Sequence, residues 1–515
     1  MAEITRREFN KRVAAGLGAA ALSGVTGLGR AAPRSPNIVF ICSDQHSYKY
    51  TGYAGHPIVK TPNLDRIASQ GVAFESAYCA HPVCVASRAS MMTGVYPSDV
   101  NSFCNSTVWD GSHPTWGTLL RQAGYYTRAI GKMDLNDDFD TGFEEIDTSH
   151  GHRHNPDITS LFRRPTAYRV GEREGVDGQP RDKRHRDADR TAKAVEFIEK
   201  ESRGLGRPWA LYVGLTEPHP RFVALRKYWE MYPPEGMDLP NIPQGHLEDL
   251  HLVYQELRHF KRIATPIPEE RVRRARSGYY GMITELDEYV GKIWTALERT
   301  GQLENTIFVY TSDHGESLGE HGLWYKNNLY DVAARVPLIV AGPGLPKGKR
   351  VTAPVGHVDL VYTLLELANA PRPEALRGTS LLPLIGLKRG EGPRFAYSEC
   401  HSEGNCTGSF LIRKGDWKYI HFTWYEGLLF NLREDPGELR NRANDPSARD
   451  VLIDLQKTLS ELVDPEEVTV RAFQRQRQML EDWGNRMTEQ ELYERFRGRL
   501  GDGQARALAA KVKGR

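Results

Sequence analysis

The stretch Cys84-Val85-Ala86-Ser87-Arg88 opens a run of good helix formers that reaches Thr93 and meets Gly94, a residue suited to closing a helix. Cys84 is therefore expected at a helix N-terminus, where unsatisfied N–H groups and the positive end of the helix dipole favour an anion. Four strand-like segments end in residues that can do chemistry. Residues 36–42 form a short continuous apolar run, the pattern of a strand buried on both faces of a parallel sheet, and stop at Ser43-Asp44-Gln45-His46. Residues 126–130 run into Gly131-Lys132, 209–215 into Glu217-Pro218-His219, and 306–311 into Asp313-His314. Doubly wound sheets bind ligands outside the carboxyl ends of their strands, so acids, imidazoles and a cation at four such ends point to one shared site. Taken singly, each residue also has a plainer reading as a packed cysteine, a helix-capping acid or a solvated lysine.

The elements that must position these residues alternate. Residues 63–70, 115–123, 187–201 and 271–300 carry apolar positions at helical spacing with charged faces, 335–341 reads as another buried strand, and 358–367 as a helix. The fold class expected is α/β, with a large mixed, mostly parallel sheet flanked by helices. Residues 222–268, rich in Pro, His and charge, read as a long excursion over the site mouth. A Gly/Lys/Arg-rich stretch around 386–393 marks a boundary. Beyond it, short strand-like pieces at 395–398, 409–412, 417–422 and 428–431 and a helix over 448–463 predict a small antiparallel sheet with a helix packed on it. The expected division is a catalytic domain over 33–386, a C-terminal α+β subdomain over 387–465 and a helical arm over 466–515. The arm reads either as a solvated tail or as a surface for a second subunit in a homo-oligomer.

The 515 residues carry a net charge of +2, which argues against an extended nucleic-acid surface. Six cysteines form no CxxC pair; Cys400 and Cys406 read as one bridge or as unrelated thiols. Thr5-Arg6-Arg7-Glu8-Phe9, Lys11 and a weakly apolar run over 13–28 read as a twin-arginine export leader over 1–32, which places the mature chain in the periplasm or outside the cell. That run is short and Gly-rich for a membrane span, and no other segment is long and apolar enough to be one.

The joint order of the motifs resembles the type I sulfatases of the alkaline phosphatase superfamily. The resemblance is carried by Asn37 to Gln45, Thr61-Pro-Asn-Leu-Asp-Arg-Ile67, Cys84-x-Ala-Ser-Arg88 with Thr93-Gly94, Gly131-Lys132, Pro218-His219, and Thr311-Ser-Asp-His-Gly315 through Lys326. Arg335-Val-Pro337, Lys418-Tyr-Ile420 and Asp435-Pro-Gly-Glu438 extend it toward the C-terminus. It implies that a maturase oxidises Cys84 to formylglycine, whose hydrate attacks sulfur with one hydroxyl and expels sulfate through the other. Asp44, Gln45, Asp313 and His314, with an oxygen of the matured Cys84, would hold one divalent cation. Such a hard ligand set favours Ca2+, with Mn2+ and Mg2+ as alternatives, over Zn2+. By the same resemblance Arg88 steadies the hydrate, Lys132 and Lys326 clamp sulfate oxygens, and His219 protonates the departing alcohol.

Three departures from the family pattern bear on specificity. Ala86 replaces the usual Pro, which favours a radical-type bacterial maturase over a copper-dependent one. His314 stands where Asn is common, as in phosphonate and phosphodiester hydrolases and choline-sulfatase-like members. Asp134 stands where many members carry His, a weak pointer to sulfated sugars through the glucuronate-2-sulfatase branch, and from that slot its carboxylate is expected to deprotonate the second hydroxyl. The function expected is a sulfuric ester hydrolase acting on a small organic or sugar sulfate. The alternatives are a phosphonate monoester or phosphodiester hydrolase of the same superfamily and a non-catalytic sulfate-ligand binding protein.

Overall fold

The computed structural model describes residues 35–136, 138–147, 169–402 and 404–514; the expected export leader over 1–32 lies outside them. The central sheet has eight strands: Asn37–Ser43 (β1), Val72–Phe74 (β2), Tyr126–Gly131 (β3), Glu145–Asp147 (β4), Trp209–Gly214 (β5), Thr306–Ser312 (β6), Leu338–Ala341 (β7) and Lys349–Val351 (β8). Their order is β8-β2-β7-β6-β1-β5-β3-β4. All run parallel except β7, which pairs antiparallel with both β2 and β6. The apolar run of β1 is explained by its central place: Val39 lies opposite Leu211 on one side and Phe308 on the other, with no face left for water.

Helices Pro62–Gln70 (α1), Cys84–Thr93 (α2), Trp116–Gln122 (α3), Asp187–Glu196 (α4), Leu252–Phe260 (α5), Glu269–Arg299 (α6) and His357–Leu367 (α7) follow. Side chains alternate across β1, so Ile38 and Phe40 meet α2, α3 and α7 on one face, and Val39 and Ile41 meet α1, α4 and α6 on the other. Each such fully buried side chain contributes roughly 1.5–3 kcal/mol. Helix α2 begins at Cys84 and closes, as its sequence predicts, on left-handed Gly94 (φ 74°), whose N–H returns to the Ser90 carbonyl at 2.8 Å.

The excursion over 222–268 is more ordered than its composition suggests. Phe222–Leu225 pairs with Gly178–Arg181, and α5 leads into the buried Lys261. Ala396–Cys400 (β9), Ser409–Lys414 (β10), Trp417–Phe422 (β11) and Tyr425–Asn431 (β12) form the expected antiparallel sheet, on which Arg449–Leu462 (α8) packs Leu455 and Leu459. Lys418 of β11, fully buried, pairs with Asp331 at 2.8 Å and Glu438 at 2.6 Å and pins this sheet to the chain after β6. Cys400 and Cys406 are both free thiols. Among the described residues no helix is long and apolar enough to cross a membrane.

The final segment is not a solvated tail. Pro465–Arg486 (α9) sends Val468 and Ala472 into the core of the C-terminal sheet. Glu489–Leu500 (α10) and Asp502–Val512 (α11) close around Cys104 with Leu492, Phe496, Leu500, Ala505 and Ala509. The apolar positions at 492, 496 and 500 recur every fourth residue and make a narrow stripe that the high density of Arg, Glu and Gln conceals in the sequence.

Two glycines let the ends of β3 and β5 approach. Gly131 has φ 89°, and a Cβ on Gly214 would lie 1.8 Å from the Lys132 carbonyl oxygen. Gly214→Ala should therefore cost about 1–3 kcal/mol of stability and displace Lys132. Gly204→Ala, whose Cβ meets nothing within 4 Å, should leave the denaturation midpoint unchanged. Equal denaturant midpoints for the two variants would refute this account of the junction.

Candidate active site

Four adjacent strands, in the order β6-β1-β5-β3, deliver the site from their carboxyl ends. Asp313 and His314 follow β6, Asp44 and Gln45 follow β1, His219 lies in the turn after β5, and Lys132 and Asp134 follow β3. Helix α2 brings Cys84 over this edge. The ligand atoms of Asp44, Cys84, Asp313 and His314 all lie within 4.8 Å of one another, and all four residues are buried. Cys84 Sγ is 2.9 Å from Lys326 Nζ, 3.2 Å from His314 Nε2 and 3.6 Å from Asp44 Oδ1. Lys326 Nζ is also 3.4 Å from His219 Nε2.

Arg88, one helical turn beyond Cys84, has no exposed atom to spare for solvent. Its Nε donates to Asp313 at 2.9 Å, its Nη1 to the Lys132 carbonyl and to Tyr212 Oη at 2.7 Å each, and its Nη2 to the Ser43 carbonyl at 3.4 Å. Lys132 Nζ pairs with Asp44 and lies 3.1 Å from Asp134, which is also 3.8 Å from Arg88. Asp134 is thus held between two cations, with φ 55°.

The electrostatics are uneven. Burial opposes ionisation of Asp44, but Lys132, His219, Lys326 and Arg88 outweigh it and hold the carboxyl well below the usual range. Burial and the charge of Asp44 raise Asp313 instead. Burial and Asp44 also push the Cys84 thiol up, yet Lys132, Lys326 and His314 overcome them and leave it well below its ordinary value.

The residues fit a metal ion. Two buried carboxylates converge, and Gln45, in a left-handed conformation at φ 70°, donates its Nε2 to Glu316 while its buried Oε1 has no protein partner. His314 donates its Nδ1–H to the Gly315 carbonyl at 3.0 Å, which turns Nε2 toward the cluster as the nitrogen that would ligate once the ring is neutral. The two carboxylates and the amide oxygen match a hard divalent cation, and the imidazole adds a borderline nitrogen donor.

Every residue expected at the site from sequence joins this cluster. Two that support it are not apparent from the sequence. Glu316 orients Gln45 and accepts the N–H groups of Leu318 and Tyr325 at 2.8 and 2.7 Å; its place two residues beyond His314 is the only signal. Lys261 donates to the carbonyls of Trp324 and Lys326 at 2.9 and 2.6 Å and so fixes the backbone that carries Lys326. Nothing local in 222–268 marks it.

Comparison with known proteins agrees with this architecture. The sulfatase family model matches residues 36–370, and that of the C-terminal region of N-sulphoglucosamine sulphohydrolase matches 319–465. Arylsulfatase K of Danio rerio is 32% identical over 473 residues, 87% of either chain. Choline-sulfatase of Rhizobium meliloti is 33% identical over 433 residues, 80% of this chain and 83% of the relative. The phosphonate monoester hydrolase of Agrobacterium radiobacter superposes with a TM-score of 0.69 at 26% identity, over 83% of this chain and 95% of its own. The sheet, the strand-end cluster and matches that span most of the chain lead to one conclusion: this protein is a sulfatase, a member of the sulfatase family of the alkaline phosphatase superfamily.

Proposed function

We propose that the chain hydrolyses a sulfate ester to alcohol and inorganic sulfate, with Cys84 matured to formylglycine and one divalent cation, Ca2+ before Mn2+ or Mg2+, held by Asp44, Gln45, Asp313 and His314. The observation that carries this reading is the position of Cys84 Sγ, in contact with Lys326, His314 and Asp44 at a helix N-terminus. The thiol sulfur marks where an oxygen of the hydrated aldehyde would stand. When present, the hydrate supplies the nucleophile and the cation neutralises charge on the sulfate oxygens.

The chain's own residues account for the rest. Lys326, in contact with Cys84, and Lys132, paired with Asp44, present fixed positive charge where a sulfate would otherwise need water. His219 donates Nδ1–H to the Pro220 carbonyl at 2.7 Å, so a second proton would sit on Nε2, the nitrogen that faces Lys326. From there it would pass to the departing alcohol. Arg88 is committed to the scaffold and acts by holding Asp313 and the Lys132 backbone in place. Asp134, between Lys132 and Arg88, would take the proton that accompanies sulfate release.

Cys84 is only 2% exposed, so a maturase must reach it before the chain folds. That order agrees with export of the folded protein through the Arg6-Arg7 leader to the periplasm, which we also propose. A phosphonate monoester or phosphodiester preference is the second reading, favoured by His314 and by the likeness to the Agrobacterium enzyme.

Material produced beside a radical-type maturase should show the aldehyde at position 84 by mass analysis of the peptide over 82–88, and should turn over 4-nitrophenyl sulfate faster than the corresponding phosphonate monoester. Cys84→Ala should abolish turnover with the fold retained by circular dichroism; full activity with an unmodified thiol would overturn the mechanism, and a reversed substrate preference would favour the second reading. Asp313→Ala should lose both bound metal and activity, and full metal occupancy by elemental analysis in that variant would refute the ligand set. For Asp134→Asn, single-turnover kinetics should show a normal burst of alcohol followed by slow sulfate release; loss of the burst itself would reassign Asp134 to positioning Lys132.

A further inference from the structure

The imidazole that would protonate the alcohol stands on a short stretch of chain with few anchors of its own. Beyond the Leu215 N–H, which donates to the Cys42 carbonyl at 2.9 Å, the segment Thr216-Glu217-Pro218-His219-Pro220 leaves the sheet. Pro218 and Pro220 carry no N–H, and the His219 N–H is used inside the turn, on the Thr216 carbonyl at 2.9 Å. The two remaining donors go to one atom: Asp187 Oδ2 accepts the N–H groups of Thr216 and Glu217 at 2.7 Å each. His219 lines, with Lys326, Arg221 and Arg499, a cavity of about 390 Å3 into which an alcohol would depart. The place of the turn therefore sets where its proton is delivered.

Asp187 is itself firmly held. An acid in the first turn of a helix ordinarily serves the N–H groups of that helix, but Asp187, fully buried as the first residue of α4, engages both oxygens otherwise. Its Oδ1 accepts from Arg190 Nη1 at 2.8 Å, and the same Nη1 donates to Thr216 Oγ1 at 2.6 Å. Arg190 thus ties the acid and the turn together. Burial opposes ionisation of Asp187, but His185, Arg190 and the Glu217 N–H outweigh it and hold the carboxyl below its ordinary range. Hydrogen bonds to a charged oxygen are stronger than those to a neutral one. The Glu217 side chain is taken by Arg181 at 3.0 Å, and the backbone of the turn by Asp187.

We propose that Asp187, fastened by Arg190, is a positioning residue for the proton transfer: it holds the turn over 216–219 so that His219 meets the departing oxygen. This rests on the reading of His219 as the acid in sulfate ester hydrolysis. An acid that only stabilised the fold would, when removed, slow every ester alike. A residue that acts through the proton donor matters most where the leaving oxygen needs a proton.

The test uses the matured enzyme and two esters of similar size. The phenolate of 4-nitrophenyl sulfate leaves as a stable anion, whereas the oxygen of 4-methylphenyl sulfate leaves far more readily when protonated. Asp187→Ala should lower the ratio of kcat/KM, methyl to nitro, about tenfold with bound metal unchanged. Asp187→Asn, which keeps one oxygen for the two N–H groups, should restore most of that ratio. His219→Ala should lower it at least as far, and adding Asp187→Ala to that variant should change it by less than about twofold. Thr216→Val removes the hydroxyl that Arg190 reaches; it should shift the ratio in the same direction, and it serves the test if Asp187→Ala does not fold. Hydrogen exchange of the Thr216 and Glu217 amides in Cys84→Ala needs no turnover, and should accelerate about tenfold or more when Asp187→Ala is added. Equal losses on both esters, loss of bound metal, unchanged amide exchange, or a ratio that falls in His219→Ala but not in Asp187→Ala would overturn the proposal. A ratio unchanged in His219→Ala would remove the acid assignment and this proposal with it. Absence of turnover of any sulfate ester by aldehyde-bearing wild type would remove the hydrolase reading, while amide exchange would still decide whether Asp187 holds the turn.

Discussion

Arg88 is fully buried, and its guanidinium ties together the ends of three strands and the helix that carries Cys84. Asp313 after β6, the Lys132 carbonyl after β3 and the Ser43 carbonyl at the end of β1 all converge on it, with Tyr212 of β5 as a fourth partner. A buried cation is tolerated only when its donors are satisfied, and removing one member of such a pair leaves an uncompensated charge at a cost of about 3–5 kcal/mol. Asp313, the backbone of Lys132, the end of β1 and the position of Cys84 therefore depend on one another through a single side chain.

Around that tie the charges are arranged in two layers. The inner layer sets acid against cation unevenly: Asp44 stays ionised beside Lys132, while Asp313 is raised by its own burial and by Asp44. A carboxyl whose ionisation is disfavoured by burial and by a neighbouring acid gains from any further positive charge placed beside it. The outer layer aims the inner one. Glu316 turns the Gln45 amide so that its oxygen faces inward, and Lys261 holds the backbone on either side of Tyr325 so that Lys326 reaches Cys84. The left-handed conformations of Gln45, Tyr325 and Asn327 are retained because these hydrogen bonds over-determine them.

The C-terminal segments are part of the site's construction. Lys418 anchors the small sheet through Asp331 and Glu438, and α10 closes the arm onto the mouth next to Val170. A sheet that positions chemistry at one edge leaves that edge open to solvent, and a later segment of chain folded over it narrows the range of alcohols that can enter.

The local chemistry was legible in the amino-acid sequence because it depends on neighbours in the chain. The apolar run before Asp44, the helix formers after Cys84 and Gly94 at the helix end each follow from short-range rules of period and capping, and together they placed the α/β class and the strand ends that carry Asp44, Lys132, His219 and Asp313, while Arg88, Lys326 and Asp134 were reached through the family resemblance. The supporting residues were not legible. Lys261 and Glu316 act on partners far along the chain or turned by local backbone strain, and a lone Lys or Glu carries no sign of that use. The arm's sparse apolar stripe became meaningful only once Cys104 and its surroundings supplied the surface it covers. Tertiary structure alone decided that Arg221 and Arg499, 278 residues apart in number, line one cavity, because only the folded chain brings segments so distant into a common wall.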